Sequence, residues 1–338
     1  MNYRMFGATD LMVSEVGFGC ARLGGIFENS SRADMLRTLH LARDKGITFF
    51  DTADMYCQGE SEALLGRAFR RQRSSIIIAS KAGYCLPARR KLASRIKPVL
   101  RPLIQRLGLK RGFFPSGLRG AVGQDFSATY LLSAVDQSLK RLGTDYLDLF
   151  QLHSPPPSVL ESGEFITPLE KLKSQGKIRF YGVSCETTAD ALICLQYPGI
   201  SALQVRLSLL DQGVLDEVLP RARERGVAII ARECYAGGLL ARPVKELSLE
   251  EVIPDVVMRE KKRQELVDCE RTALSDGRSL PELALQFVLG LDGISTALLG
   301  MRSSAHLDTN MGYLAAPRLS QQVIRSLREY SAGSVAAR

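Results

Sequence analysis

Residues Ile47–Tyr56 read ITFFDTADMY. The first four form a short β-forming apolar run of the kind that makes a buried strand, and the run halts at Asp51. An aspartate there has an ordinary use, because its carboxylate accepts backbone N–H bonds where a turn or a helix begins. Tyr56, five positions on, becomes informative only when the same pattern is followed along the chain. Comparable runs recur as SEVGFG from Ser14, SIIIAS from Ser75, LDLFQL from Leu147, IRFYGVS from Ile178, ALQV from Ala202, VAIIA from Val227 and STALLG from Ser295. Most are followed by longer amphipathic segments, including Arg32–Lys45, Glu60–Arg70 and Ala128–Leu142.

Eight strands separated by helices match a closed (β/α)8 TIM barrel, and the 338 residues suit one. The competing architecture is a doubly wound sheet, but no G-x-G-x-x-G follows the first strand, and GFGCARLGG at Gly17–Gly25 has the wrong spacing. Further helical patterns at Glu260–Asp276, Leu280–Leu289 and Gln321–Tyr330 fall outside the simple repeat. No linker-like composition interrupts the chain, so a single domain spanning 1–338 is expected.

Apolar residues make up 45% and charged residues 24%, which permits a sizeable core and excludes a low-complexity chain. No window approaches twenty uninterrupted apolar residues, and MNYRMFGATD lacks a secretory signal's apolar centre and cleavage site, so a cytoplasmic location is expected. The seven cysteines are odd in number, scattered and never in a C-x-x-C pair; they read as reduced, buried thiols rather than as disulfides or metal ligands. The three histidines, His40, His153 and His306, lack metal-ligand spacing, and no metal is expected.

In a barrel of this kind chemistry sits where the strands end. Asp51, Lys81 and His153 close the second, third and fourth runs, with Tyr56 just beyond the second. Singly, each is explained by a cap, a solvated lysine or a polar loop. Together they converge on one space with a coherent use. An ammonium beside a phenol favours phenolate, a carboxylate keeps that ammonium charged, and a neutral imidazole hydrogen-bonds a carbonyl oxygen. Tyr56 is then the proton donor or acceptor, tuned by Lys81 and Asp51, with His153 orienting the carbonyl and a bound cofactor supplying hydride.

At this point the chain resembles the aldo-keto reductase family. YRMFGATDLMVSEVGFG is similar to its N-terminal hairpin and first strand, FFDTADMY to its Asp-to-Tyr motif and GESEALLGRAF to the helix after it. SKAG, QLHSP and GKIRFYGVS follow in the family's order, so the likeness covers nearly the whole chain. The resemblance implies a catalytic tetrad of Asp51, Tyr56, Lys81 and His153, with Tyr56 as general acid/base. It also implies a bound nicotinamide cofactor. Ser184 and Gln204 match the residues that hold the carboxamide, but Cys185 stands where the family has Asn. ARECYAGGLL, containing Gly238 and Leu239, is similar to the pyrophosphate loop, with Arg232 in place of a stacking tyrosine. LLGMRSSAHLDTN is similar to the adenosine site through Gly300, Arg302, Ser303 and Asn310, with His306 and Thr309 replacing the more usual side chains.

Arg302 and Ser303 suit a 2′-phosphate, so NADPH is favoured over NADH, although LLGMRSS looks closest to the NAD-using sugar dehydrogenase branch near L-galactose dehydrogenase. The expected activity is interconversion of an aldehyde, ketone or sugar hemiacetal with its alcohol or oxidised partner. Two rivals stand beside it: a cofactor-binding regulatory subunit like the related barrels of potassium channels, and a biosynthetic reductase for an anionic, carrier- or nucleotide-linked sugar.

The net charge of +9 would suggest a nucleic-acid partner if it were spread over the surface. It is concentrated instead between Ala82 and Gln124, which contains ten Lys and Arg and no Asp or Glu. The segment 85–124 is read as a basic amphipathic insertion after the third barrel strand, where the family has a shorter connection. Leu92, Ile96, Val99, Leu100, Leu103, Ile104 and Leu107 recur at helical spacing, while Pro98 and Pro102 would divide any helix there. Three readings stay open: a lid packed on the barrel with solvated charges, a surface facing an anionic substrate, and a membrane-surface helix. The small-molecule substrate is expected to be a carbonyl or sugar; nucleic acid and integral membrane partners are not expected, and the assembly is monomer or dimer.

Overall fold

The structure, a computed structural model, describes residues 1–24, 31–85 and 123–335. The chain opens with an antiparallel hairpin, β1 (Tyr3–Met5) and β2 (Met12–Ser14). Eight parallel strands follow: β3 (Val16–Gly19), β4 (Phe49–Asp51), β5 (Ile77–Ala82), β8 (Leu147–His153), β9 (Ile178–Ser184), β10 (Ala202–Arg206), β11 (Ala228–Arg232) and β12 (Ile294–Gly300). They pair in chain order and close through Ala297↔Val16 and Gly300↔Gly19 between β12 and β3. This is the (β/α)8 barrel expected from the sequence, and all eight apolar runs supply its strands.

Between β5 and β8 lies a second small hairpin, β6 (Tyr84–Cys85) with β7 (Gly123–Gln124). The helices are α1 (Arg32–Asp44), α2 (Glu60–Phe69), α3 (Ala128–Leu142), α4 (Pro157–Ser162), α5 (Ile166–Ser174), α6 (Thr188–Cys194), α7 (Val218–Glu224), α8 (Val256–Ser275), α9 (Leu280–Gly290), α10 (Ser304–Ala315) and α11 (Gln321–Val335). Their boundaries follow local chemistry. Ser127 and Ser279 accept from the backbone N–H groups of Tyr130 and Glu282 at the starts of α3 and α9, and Gly143 ends α3 in the left-handed region. α8 begins four residues before the expected Glu260, because Asp255 caps it by accepting from Met258 N at 2.7 Å. The early turn escapes pattern reading because Val256 and Val257 are exposed, so it carries no buried stripe. α11 likewise runs past Tyr330 to Val335.

The main core lies between strands and helices; a smaller one fills the barrel around Phe49, Leu149, Ile230 and Leu298. The hairpin closes the end of the barrel opposite the strand C-termini, with Phe6 against Phe49 at 5.7 Å. At that closed end the buried Glu15 carboxylate accepts from Arg318 at 2.6 Å on both oxygens, from Arg4 at 3.2 Å and from Asn2 N at 3.3 Å. Charge is thereby satisfied where no chemistry is needed, and the other end is left for the site.

The insertion's residues 86–122 lie outside the described residues. Its roots are described: Asp125 N donates to Gly83 O at 2.9 Å, and Gln124 Nε2 donates to Ser154 O at 2.7 Å. Both roots therefore stand at the end of the barrel where β5 and β8 finish.

Candidate active site

Asp51 is the last residue of β4, and the loop beyond it is pinned along β5: Thr52 N donates to Ala79 O at 2.8 Å and Asp54 N to Lys81 O at 2.9 Å. After Tyr56 the chain turns through positive φ at Cys57 (50°), Gln58 (63°) and Gly59 (85°) before α2 begins. Two non-glycine residues in that region cost on the order of 1–3 kcal/mol each, so the turn is strain held by its surroundings. It brings the phenol of Tyr56 back over Lys81.

Lys81 is fully buried. Its Nζ donates to Asp51 Oδ2 at 2.6 Å, to Thr52 O at 3.0 Å and to Tyr56 OH at 3.5 Å. The other Asp51 oxygen accepts from Gln204 Nε2 at 2.9 Å and from Gln151 Nε2 at 3.3 Å. Burial opposes the ammonium charge, but Asp51 and Tyr56 outweigh it, and the Lys81 pKa lies above its ordinary value. Burial pushes the Tyr56 phenol upward more strongly than Lys81 pulls it down. The ammonium alone would lower the phenol, as expected from the sequence; desolvation reverses the net direction.

His153 ends β8 with its ring edge-on to Tyr56 (centroids 5.6 Å, 84°) and to Tyr84 (4.8 Å, 82°). Burial, then the positive charges of Lys81 and Arg232, bring its pKa down to about 3, so the imidazole is neutral at physiological pH. Its Nδ1 is shielded from solvent and has no hydrogen-bond partner among the described residues. The four side chains expected to converge do converge.

Three participants escaped sequence reading. Gln151 was legible, since it lies two residues before His153 and so shares its face of the strand. The Thr52 carbonyl and the Tyr84 ring carried no sequence signal.

The remaining expected residues occupy the ends of β9 to β12. Ser184 Oγ donates to Gln204 Oε1 at 3.4 Å, linking that amide back to Asp51. Cys185 turns inward, its Sγ 3.8 Å from Val183 O and 4.0 Å from Cys194 Sγ, so the thiol in the family's Asn position faces the core. Arg232 Nη1 donates to Glu233 at 2.6 Å, while Nη2 reaches Cys185 O at 3.1 Å and Glu186 at 3.2 Å. Gly237 and Gly238 have φ of 66° and 110°, and a Cβ built on either would meet nothing within 4 Å. Leu239 beside them is half-buried. Gly300 ends β12; Ser303 caps α10 by accepting from His306 N at 3.3 Å, and Arg302 and His306 are exposed. Asn310 Oδ1 accepts from Tyr235 OH at 2.6 Å, tying the loop after β11 to α10. Among the described residues no cluster of His, Cys, Asp or Glu has the arrangement of a metal site, and no helix is long and apolar enough to cross a membrane.

The model of the aldo/keto reductase family matches residues 15–332. The chain belongs to that family. Among its relatives are L-galactose dehydrogenase of Arabidopsis thaliana, 30% identical over 318 residues with 91% of this chain and 86% of that protein covered. Pyridoxal 4-dehydrogenase of Microbacterium luteolum is 28% identical over 324 residues and covers 91% of each chain. The holo form of an aldo-keto reductase from Bacillus halodurans superposes with a TM-score of 0.78 at 30% identity, covering 98% of this chain and 96% of that one. The protein is accordingly an aldo/keto reductase family oxidoreductase on a (β/α)8 barrel, and its family uses NAD(P)(H).

Proposed function

We propose that this protein interconverts a sugar-like aldehyde, ketone or hemiacetal with its alcohol or oxidised partner, using Tyr56 as the general acid/base. The observation that carries the reading is the fully buried Lys81 ammonium shared between the Asp51 carboxylate and the Tyr56 hydroxyl. A lysine buried at a strand mouth with a carboxylate on one side and a phenol on the other is the arrangement in which its charge can act on the phenol. The nicotinamide cofactor would supply or accept the hydride. In the reducing direction Tyr56 gives its proton to the substrate oxygen, and Lys81 stabilises the phenolate that remains. In the oxidising direction the phenolate takes the proton back. Neutral His153 donates a ring N–H to the same oxygen and orients it, a role that its lowered pKa suits.

The chain's residues fit such a cofactor. Gly237 and Gly238 leave open space beside their backbone, where a side chain would stand in a phosphate's way, and the first turn of the 12-residue α10 offers backbone N–H groups to a phosphate. Ser184 and Gln204 are the residues proposed for the carboxamide, Arg232 for the nicotinamide face, and Gly300, Arg302, Ser303, His306 and Asn310 for the adenosine end. Arg302 and Ser303 favour NADPH over NADH; dissociation constants for both cofactors test this, and equal or tighter NADH binding would sink it. Sugar chemistry is supported by the L-galactose dehydrogenase and D-threo-aldose 1-dehydrogenase relatives, each near 30% identity.

The deciding experiment is NADPH consumption with an activated aryl aldehyde, wild type against Tyr56→Phe, with cofactor binding measured in both. Turnover lost while NADPH still binds supports the tetrad. Turnover that survives the substitution refutes it.

A second reading sharpens the substrate. Gln124, at the root of the basic insertion, donates to the Ser154 carbonyl next to His153, so the ten cations between Ala82 and Gln124 belong to a segment anchored beside the proposed carbonyl site. An anionic sugar or acid substrate is the complementary partner.

A further inference from the structure

Behind the Tyr56 loop one phenolic hydrogen faces two acceptors. Tyr130, in the first turn of α3, has its hydroxyl 3.1 Å from Asp54 Oδ2 and 3.2 Å from the Tyr84 carbonyl. A phenol carries a single proton to donate, so it cannot serve both oxygens while Asp54 is ionised. When Asp54 is protonated, its own O–H donates to the Tyr130 oxygen, and the Tyr130 hydrogen is released to the Tyr84 carbonyl. Tyr84 is the residue whose ring lies edge-on to His153 at 4.8 Å.

We infer that Asp54 and Tyr130 form a positioning relay for His153, in which the proton on Asp54, taken from or returned to solvent, decides whether the Tyr84 carbonyl is tethered and its ring held against the imidazole. The surroundings suit a carboxyl that changes state. Its Oδ1 is shielded from solvent without a hydrogen-bond partner among the described residues. Glu62 faces it from α2, neutralised in part by Arg141 of α3, which donates to Glu62 Oε2 at 2.6 Å. On its own loop the Met55 backbone N–H faces it, and the Cys85 thiol of β6 lies against the Tyr130 hydroxyl. Burial first, then repulsion from Glu62, raises the Asp54 pKa to about 7, which puts the exchange inside the physiological range. The inference rests on the proposed role of His153 for its consequence in turnover, but not for its structural content.

The test is NMR of the full chain with ring-labelled histidine. Only His40, His153 and His306 contribute, and His153→Gln assigns the signal. Because the His153 pKa is held near 3, its ring does not titrate between pH 6 and 8, and movement there reports a change in its surroundings, assigned to the Tyr84 tether only when Tyr130→Phe abolishes it. The wild-type His153 signal is expected to move with a single midpoint near pH 7. Asp54→Asn, whose amide donates to Tyr130 at every pH, should hold it at the low-pH position. Tyr130→Phe, which removes the tether, should hold it at the high-pH position. A flat wild-type signal, or a midpoint persisting in either variant, overturns the relay. In parallel, loss of one hydrogen bond limits the fall in kcat/KM above pH 7 to about fivefold, absent in both variants. A moving signal with an unchanged activity profile refutes the positioning role. If no carbonyl substrate turns over at all, the proposed function fails while the NMR result still decides the relay.

Discussion

At the scale of single residues, the site is a balance between burial and pairing. Asp51 and Lys81 form a buried pair in which each satisfies the other, and both have further partners in Gln204, Gln151 and the Thr52 carbonyl. Lys81→Met should therefore cost about 3–5 kcal/mol by leaving the Asp51 carboxylate buried without a cation, seen as a lower urea midpoint as well as lost turnover. Loss of activity with an unchanged midpoint would mean the pair contributes nothing to the fold. Asp54 behaves oppositely. Its folded pKa, raised from 3.8 to about 7, lets the folded state hold a proton that the unfolded chain releases, so its contribution is full below about pH 4 and is lost as pH rises through 7. Asp54→Asn should accordingly gain in Tm over wild type at pH 8, lose most of that gain by pH 5 and the rest below about pH 4; a constant difference would contradict the raised pKa. Asp51, Lys81 and His153 were legible because each ends an apolar run, and Tyr56 because it follows one of those ends at short spacing. The direction of the Tyr56 shift was not legible, because burial is a property of the assembled barrel.

At the scale of elements, the strands were readable because parallel strands buried on both faces are short continuous apolar runs. Helix starts were less so: α8 gains a first turn from the Asp255 cap, which no hydrophobic stripe announces. The contact between α2 and α3 was invisible in sequence, since a mid-helix glycine reads only as a weak position. Gly66 is there because its helix runs against the end of α3: a Cβ would lie 2.1 Å from the Leu142 carbonyl oxygen, a contact only backbone movement can relieve. Gly66→Ala should destabilise by about 1–3 kcal/mol despite alanine's better helix propensity. Because α2 also carries Glu62, which binds Arg141 and Ser80, the displacement should reach the Tyr56 loop and raise KM for a carbonyl substrate. A stabilised Gly66→Ala variant would show that the helices are free to part.

At the scale of the whole molecule, the barrel separates stability from chemistry. The closed end is sealed by the hairpin and the Glu15–Arg4–Arg318 ion group, while the open end carries the ends of all eight strands and the roots of the insertion. The ten cations between Ala82 and Gln124 exceed the total of +9, so the remainder of the chain is close to neutral. That distribution favours a charged small molecule approaching one end over a polyanion lying along a basic surface. Replacing Arg95, Lys97 and Arg101 together by Glu changes the local charge by six without touching any residue of the tetrad. KM for a phosphorylated or carboxylated aldehyde should then rise at least about tenfold, with little change for a neutral aldehyde of similar size. Added salt separates this effect from a general loss of structure. Near 0.5 M salt, attraction between solvated charges is screened beyond a few ångströms, so the wild-type advantage for the anionic substrate should shrink toward the variant's value, while neutral-substrate kinetics hold in both. Equal losses on the two substrates, insensitive to salt, would instead assign those cations to solvation.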